Sequence, residues 1–207
     1  MIRALLLAAL TPLSALASTS QEWRFRVLLD GRPVGEHVFR AEERAGERHI
    51  DSDARFTVKF LFVDAYTYRH QARERWQGEC LLALDAHTDD NGRRQAVAGR
   101  RAGGGFTIAV GDAQARLPDC VMSFAYWNPA MLRQPRLLNV QTGELQDVRV
   151  DALGEESIPV RGVTQTARRY ALHAPDFRID LWYAADRDWV QLESRTSGGR
   201  LLRYLIQ

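Results

Sequence analysis

The residue types best suited to bind or transform a ligand are concentrated between positions 65 and 76. Five of them recur on one side of an alternating pattern: Tyr66, Tyr68, His70, Glu74 and Trp76. The residues between them are polar or charged and cannot all be buried cheaply: Thr67, Arg69, Gln71, Arg73 and Arg75. The alternation therefore predicts a β-strand whose aromatic residues, histidine and glutamate face inward.

This inward face has two interpretations. An aromatic wall with a few polar anchors is the usual lining of a small-molecule site, with His70 and Glu74 near a ligand head group. In the alternative, the same side chains form a packed core whose polar groups bond to neighbouring strands. Strands near the C-terminus would supply the opposite wall of a cavity through Phe177, Ile179, Leu181 and Tyr183.

A shared metal ion is not expected at this strand. On a strand, His70 and Glu74 lie about 13 Å apart, at roughly 3.4 Å per residue. No His-x-His or paired-cysteine spacing indicates ligands elsewhere in the chain. We therefore expect neither a metal site nor a cofactor.

A catalytic nucleophile is not visible either. Ser123 lacks the flanking glycines of a nucleophile elbow. His37, His49, His87 and His173 show no fixed spacing to a serine. Because a triad assembled from separate strands leaves no local pattern, a hydrolase stays a distant third candidate, and we predict no catalytic residue.

The chain has only two cysteines, Cys80 and Cys120. Their spacing excludes a CxxC redox site. In an oxidising compartment we expect them to form a disulfide, which would stabilise the fold by about 4 kcal/mol on the chain-entropy model. The alternative is two separate buried thiols.

The first 17 residues predict an export signal. Arg3 precedes an apolar run that is too short to cross a bilayer, which takes about 20 residues. Ala15-Leu16-Ala17 supplies the small-x-small pattern of a cleavage site. We expect cleavage after Ala17 and a periplasmic protein of residues 18–207.

The composition of residues 18–207 limits the classes of partner. The length fits one domain. The formal charge of the whole chain is +2, and removal of Arg3 leaves +1, too little to hold nucleic acid or an acidic membrane surface. No later segment is apolar enough to span a membrane. The expected partners are a lipid or other amphipathic small molecule, or an envelope protein of unknown identity.

Period-two alternation from Trp23 onward predicts an all-β domain. Asp30-Gly31 predicts the first hairpin turn, and Asp90-Asn91-Gly92 and Gly103-Gly104-Gly105 predict later turns. Further strands are predicted at 65–76, 79–88, 93–100, 105–110, 137–141, 145–152, 157–161, 165–173, 176–184, 188–196 and 200–207. One short helix is predicted near 129–133, after an Asn128 cap. Long consecutive hairpins favour a curved, partly closed antiparallel barrel, with a β-sandwich as the alternative.

Several runs together resemble a family of exported bacterial β-proteins described as a domain of unknown function. They are Val58-Lys59-Phe60-Leu61-Phe62, Tyr66-Thr67-Tyr68-Arg69-His70, Glu74-Arg75-Trp76, Ser123-Phe124-Ala125-Tyr126-Trp127-Asn128-Pro129 and Leu138-Asn139-Val140-Gln141-Thr142-Gly143-Glu144. The resemblance covers most of residues 18–207 and implies a periplasmic β-protein, without an activity or a ligand. Leu181-Trp182-Tyr183 and Leu202-Arg203-Tyr204 are similar to a wider group of envelope β-proteins, which in turn resembles half-barrel lipoprotein carriers in fold.

Two functions therefore follow from the sequence. The first is a periplasmic protein that binds or carries a lipophilic or amphipathic ligand in a barrel-like cavity. The second is a non-catalytic envelope interaction or assembly factor with a solid core. A cavity of several hundred Å³ would favour the first, and a filled interior would favour the second.

Overall fold

The computed structural model describes residues 20–60 and 63–207. The predicted signal peptide and its cleavage site after Ala17 lie outside the described residues. The first eight strands are β1 (Ser20–Leu29), β2 (Arg32–Arg44), β3 (Glu47–Phe60), β4 (Val63–Gln77), β5 (Cys80–Asp90), β6 (Arg93–Ala102), β7 (Gly105–Val110) and β8 (Ala113–Leu117). A 3-10 helix, Pro129–Arg133, and two short strands follow, β9 (Arg136–Leu138) and β10 (Leu145–Asp147). The last five strands are β11 (Arg149–Val160), β12 (Val163–His173), β13 (Arg178–Tyr183), β14 (Trp189–Arg195) and β15 (Leu201–Ile206).

Thirteen of these strands form one curved antiparallel sheet. Their order is β11-β12-β13-β14-β15-β1-β2-β3-β4-β5-β6-β7-β8, so β11 and β8 are its two edges. Neighbours along the sheet are consecutive hairpins, except that β1 pairs with β15 at the centre. The fold is therefore the predicted partly closed barrel, built from a single sheet rather than from two stacked ones.

The first hairpin shows why the alternating sequence folds in this way. Trp23, Phe25 and Val27 on β1 are buried, while Arg26 between them is exposed. Asp30 and Gly31 both have positive φ, 49° and 78°, which is the backbone of a tight turn that matches strand twist. The turn predicted from Asp30-Gly31 is thus confirmed, and it fixes which face of β1 meets the core.

Residues 119–148, which we call the inner segment, fill the middle of the barrel. Its buried side chains include Val121, Met122, Ala125, Trp127, Met131, Leu137 and Leu138. Trp127 packs edge-on against Trp76 of β4, with ring centroids 5.5 Å apart. On the other half of the sheet, Tyr126 contacts Trp189 of β14 at 5.2 Å. The inner segment therefore joins the two halves of the curved sheet through their apolar faces.

The inner segment is held at its start by the predicted disulfide. Cys80, at the beginning of β5, is bonded to Cys120, with their Cα atoms 4.8 Å apart. Beside it, the Leu81 backbone N–H donates to the carbonyl of Val121 at 2.9 Å. The predicted helix at 129–133 is also confirmed, as a 3-10 helix in which the Asn128 side chain accepts a hydrogen bond from the Ala130 N–H at 3.0 Å.

Three details differ from the sequence prediction. β8 was not expected, since residues 113–116 are all exposed and carry no burial pattern. The strands predicted at 137–141 and 145–152 reduce to β9 and β10, which pair with each other, and Leu138 of β9 also forms an isolated parallel bridge with Ser123. The remainder of 145–152 belongs to β11, which continues without interruption to Val160.

Candidate ligand cavity

The five candidate residues all lie on β4, but they do not share one environment. His70, Glu74 and Trp76 are buried, whereas Tyr66 is 36% exposed. Tyr66 and Tyr68 line a cavity at one end of the barrel. Glu74 and Trp76 lie further along the strand, under the inner segment. The structure therefore brings two of the five together at a cavity and places two in the packed core, with His70 between them.

The cavity measures about 510 Å³ and opens where four hairpins end. Its apolar and aromatic walls are Leu29, Val34, Ala54, Phe56, Val58, Tyr66, Tyr68, Leu202 and Tyr204. Its polar lining consists of His37, Asp90, Arg93, Thr196, Ser197 and Arg200. A concave, mostly apolar site with a few polar groups is the arrangement typical of small-molecule pockets.

Tyr68 connects the cavity wall to the inner segment. Its ring stacks on Phe56 with centroids 5.3 Å apart and an interplanar angle of 11°. Its hydroxyl donates to Oε1 of Gln141 at 2.8 Å. Burial raises the pKa of this phenol well above its usual value, so Tyr68 stays protonated and available as a donor.

The floor of the cavity is polar but uncharged. The His37 ring stacks on Phe39 at 4.1 Å and lies 5.7 Å from the ring of Tyr204. Burial lowers the pKa of His37 to about 3. Two strands further along the sheet, on β4, His70 Nδ1 bonds to Thr88 Oγ1 at 2.8 Å, and burial lowers the pKa of His70 to about 4. Both imidazoles are therefore neutral at neutral pH.

The structure also forms a serine–histidine contact that the spacing of the chain did not reveal. His37 Nε2 lies 2.7 Å from Ser52 Oγ, across the β2–β3 pair. In a catalytic triad a carboxylate binds the other ring nitrogen. Among the described residues, His37 Nδ1 is buried without any hydrogen-bond partner. The contact thus lacks the group that would orient a general base.

The rim of the cavity carries the charges. Arg93 Nη2 lies 3.7 Å from Asp90 Oδ2, and Arg200 Nε donates to Asp30 Oδ2 at 2.7 Å. Beside them, burial and hydrogen bonding to Asp90 raise the pKa of Tyr66 to about 12. The site is therefore apolar along its walls and ionic near its opening, where Asp90 Oδ1 is buried without a hydrogen-bond partner among the described residues.

Glu74 anchors the inner segment rather than the cavity. Its Oε2 accepts hydrogen bonds from Trp76 Nε1 at 2.8 Å and from Ser123 Oγ at 3.2 Å. Burial raises the pKa of this carboxyl to about 7, although both donors favour the ionised form. Glu74 thus bonds strand β4 to the inner segment from a position that solvent scarcely reaches.

The wall that faces Tyr68 comes from unexpected strands. The sequence predicted it from residues 177–183, but those side chains pack on the inner segment: Phe177 contacts Phe124 at 5.6 Å, and Tyr183 Oη donates to the Tyr126 carbonyl at 2.8 Å. The facing wall is formed by β1, the start of β2 and β15. No local pattern indicates this, because it depends on the pairing of β1 with β15.

Residues 20–60 and 63–207 contain no cluster of three or more His, Cys, Asp or Glu side chains able to hold a metal ion. They also contain no helix long and apolar enough to cross a membrane.

Comparison with known proteins identifies the family. The sequence model of the family described as Domain of unknown function (DUF6134) matches residues 25–207. The chain belongs to this family. None of the curated proteins compared with the chain matches it significantly.

A solved structure shares the fold. The crystal structure of a beta-barrel-like protein of domain of unknown function DUF1849 from Brucella abortus aligns with a TM-score of 0.66. The alignment covers 90% of this chain and 94% of that chain, at 9% sequence identity. At that identity the likeness concerns the fold alone.

Proposed function

We propose that this DUF6134 protein binds a lipophilic or amphipathic molecule in the cavity at the end of its barrel and carries it in the periplasm. The observation that supports this most is the cavity itself. Its volume of about 510 Å³ is within the range of about 300–1,000 Å³ for small-molecule pockets. Export is supported by the signal-like N-terminus and by the Cys80–Cys120 disulfide, since such bonds persist in oxidising compartments.

The lining residues divide into two roles in this proposal. Phe56, Tyr68 and Tyr204 provide aromatic surface for the apolar body of the ligand, and Tyr66 contacts it near the rim. Of the other sequence candidates, His70 lies two residues after Tyr68 on β4 and supports the floor of the cavity from behind its lining. Glu74 and Trp76 hold the inner segment in place and do not touch the ligand.

Binding of an uncharged apolar probe tests the proposal. N-phenyl-1-naphthylamine becomes fluorescent in apolar surroundings, and we expect it to bind wild-type protein saturably. Val58 lines the cavity, so Val58→Trp fills part of it and should weaken binding at least tenfold. Thr57→Trp adds the same side chain one residue earlier, where the strand faces the other way, and should bind the probe normally.

Two results would contradict the cavity proposal. One is a wild-type protein that shows no saturable binding of the probe. The other is equal weakening by Val58→Trp and Thr57→Trp, which would indicate a general effect on the fold. Melting curves of both variants accompany the titrations, so that a loss of folded protein is not read as a loss of binding.

A ligand-free interaction or assembly factor is the second candidate, favoured by the filled middle of the barrel. There Trp76, Met131, Leu137 and Leu138 have essentially no exposed surface. Tyr68→Ala separates the two functions. In an open cavity it removes one hydrogen bond and one stacked ring, costing about 1–3 kcal/mol, and weakens probe binding. In a solid core, loss of a large aromatic side chain costs about 3–5 kcal/mol.

A further inference from the structure

Positive charges outnumber negative charges in the lining of the cavity. Among its fifteen lining residues, the charged side chains are Asp90, Arg93 and Arg200, and His37 on the floor is neutral. The lining therefore has a net charge of +1. Both arginines lie at the opening, Arg93 as the first residue of β6 and Arg200 immediately before β15.

Each arginine has donors left for a further acceptor. Arg93 is 87% exposed, and its 3.7 Å separation from Asp90 is longer than a hydrogen bond. Arg200 is fixed by Asp30, whose carboxylate also accepts the Leu201 backbone N–H at 2.9 Å. That bond uses Nε, and within the described residues no hydrogen bond from either Nη of Arg200 is formed. A guanidinium fork held in this way suits an oxygen anion.

The interior offers no comparable partner for a charge. His37 and Tyr68 are its main polar groups, and both are neutral at neutral pH. An ion moved past them would lose its hydration without gaining an opposite charge. A ligand with one charged end is therefore expected to keep that end at the rim and to insert its apolar chain toward the floor.

We propose that the ligand is an anionic, single-chain amphiphile, with its acidic head group bound between Arg93 and Arg200 and its chain in the cavity. This rests on the proposed function, because it requires the cavity to accept an apolar chain. The head group recognised at this site has at least two oxygen acceptors and one negative charge.

Three twelve-carbon competitors test the charge preference. Dodecanoate and dodecyltrimethylammonium below their micellar concentrations, and 1-dodecanol below its solubility limit, are added to protein loaded with N-phenyl-1-naphthylamine. We expect dodecanoate to displace the probe at concentrations about tenfold lower than 1-dodecanol, and the cation to be the weakest. The advantage of dodecanoate should shrink as salt is raised, since the rim is exposed and its charges are screened.

Substitution of the two arginines tests whether the rim causes the preference for dodecanoate over 1-dodecanol. Arg93→Gln and Arg200→Gln should each weaken dodecanoate binding about fivefold, and each should lower the ratio of dodecanoate to 1-dodecanol affinity by a similar factor. Arg94→Gln is the matched control. Arg94 follows Arg93 in the sequence but bonds to Asp89 at 3.2 Å, away from the cavity, and this variant should bind dodecanoate as wild type does.

The outcomes separate this proposal from the cavity proposal. If the probe binds but wild type does not distinguish dodecanoate from 1-dodecanol, the cavity stands and the head-group proposal is wrong. It is also wrong if Arg94→Gln weakens dodecanoate as much as Arg93→Gln does. Dodecanoate binding is also measured directly by calorimetry. A wild-type protein that binds neither N-phenyl-1-naphthylamine nor dodecanoate refutes both proposals.

Discussion

Glu74 offers a quantitative test, because its carboxyl is buried between β4 and the inner segment. It is 8% exposed and accepts hydrogen bonds from Trp76 and Ser123. Burial raises its pKa from the ordinary 4.5 to about 7. Between pH 4.5 and 7 the unfolded chain has released this proton while the folded protein keeps it. The folded state thus binds more protons in that window, and its stability falls as pH rises.

The size of the effect follows from the two pKa values. Each pH unit inside the window costs about 1.4 kcal/mol, so the free energy of unfolding should decrease by about 3 kcal/mol from pH 4.5 to 7. Above pH 7 the contribution is constant. The buried histidines titrate with the opposite sign, so the quantity to compare is the difference between wild type and Glu74→Gln, in which they cancel.

Urea unfolding at intervals between pH 4 and 8 measures this difference. We expect wild type to lose about 3 kcal/mol relative to Glu74→Gln across the window. Glu79→Gln is the control, since Glu79 is half-exposed and bonds to the same inner segment through Arg133 at 3.2 Å. Its profile should run parallel to wild type. A constant difference between wild type and Glu74→Gln would refute the argument from burial.

Three further predictions concern the inner segment and the floor. Replacement of both Cys80 and Cys120 by Ser should lower the free energy of unfolding in urea by about 4 kcal/mol, and an unchanged value would contradict a stabilising disulfide. Asn128→Ala should cost about 1 kcal/mol in thermal unfolding through loss of its cap, whereas an unaltered melting curve would show that the cap contributes nothing. His70 stays neutral when folded but is protonated below pH 6.5 when unfolded, so its contribution to the free energy of unfolding should fall by about 3 kcal/mol between pH 6.5 and 4. Because Glu74 titrates with the opposite sign, this loss is measured as the difference between wild type and His70→Gln in urea unfolding, and a difference that stays constant with pH would disprove it.

The features predicted correctly from the sequence are local or have few alternatives. The turn at Asp30-Gly31 requires positive φ at both residues, which their types permit. The Asn128 cap and the helix after it lie within six residues. The Cys80–Cys120 bond was the only intramolecular pairing open to two cysteines. Each of these needs no knowledge of how distant strands are arranged.

The features that could not be predicted depend on which strands face each other. The sequence predicted no strand between positions 110 and 137 and one short helix there, but an apolar run outside the strands does not show whether it fills a barrel or covers its outside. The wall opposite Tyr68 comes from β1, β2 and β15, which are distant from it in sequence. The contact of His37 with Ser52 likewise arises only once β2 and β3 are in register.

The pairing of β1 with β15 has a consequence for how the chain reaches its fold. Residues 25 and 206 are partners at the centre of the sheet, and the Gln207 N–H donates to the carbonyl of Arg24 at 2.8 Å. Each half of the sheet can grow by local hairpins, but their union must close a loop of almost the whole chain, which makes this step entropically costly and slow. Until β15 arrives, β1 is an unpaired edge and the cavity lacks one wall. The proposed ligand site is therefore completed only in the last topological step of folding.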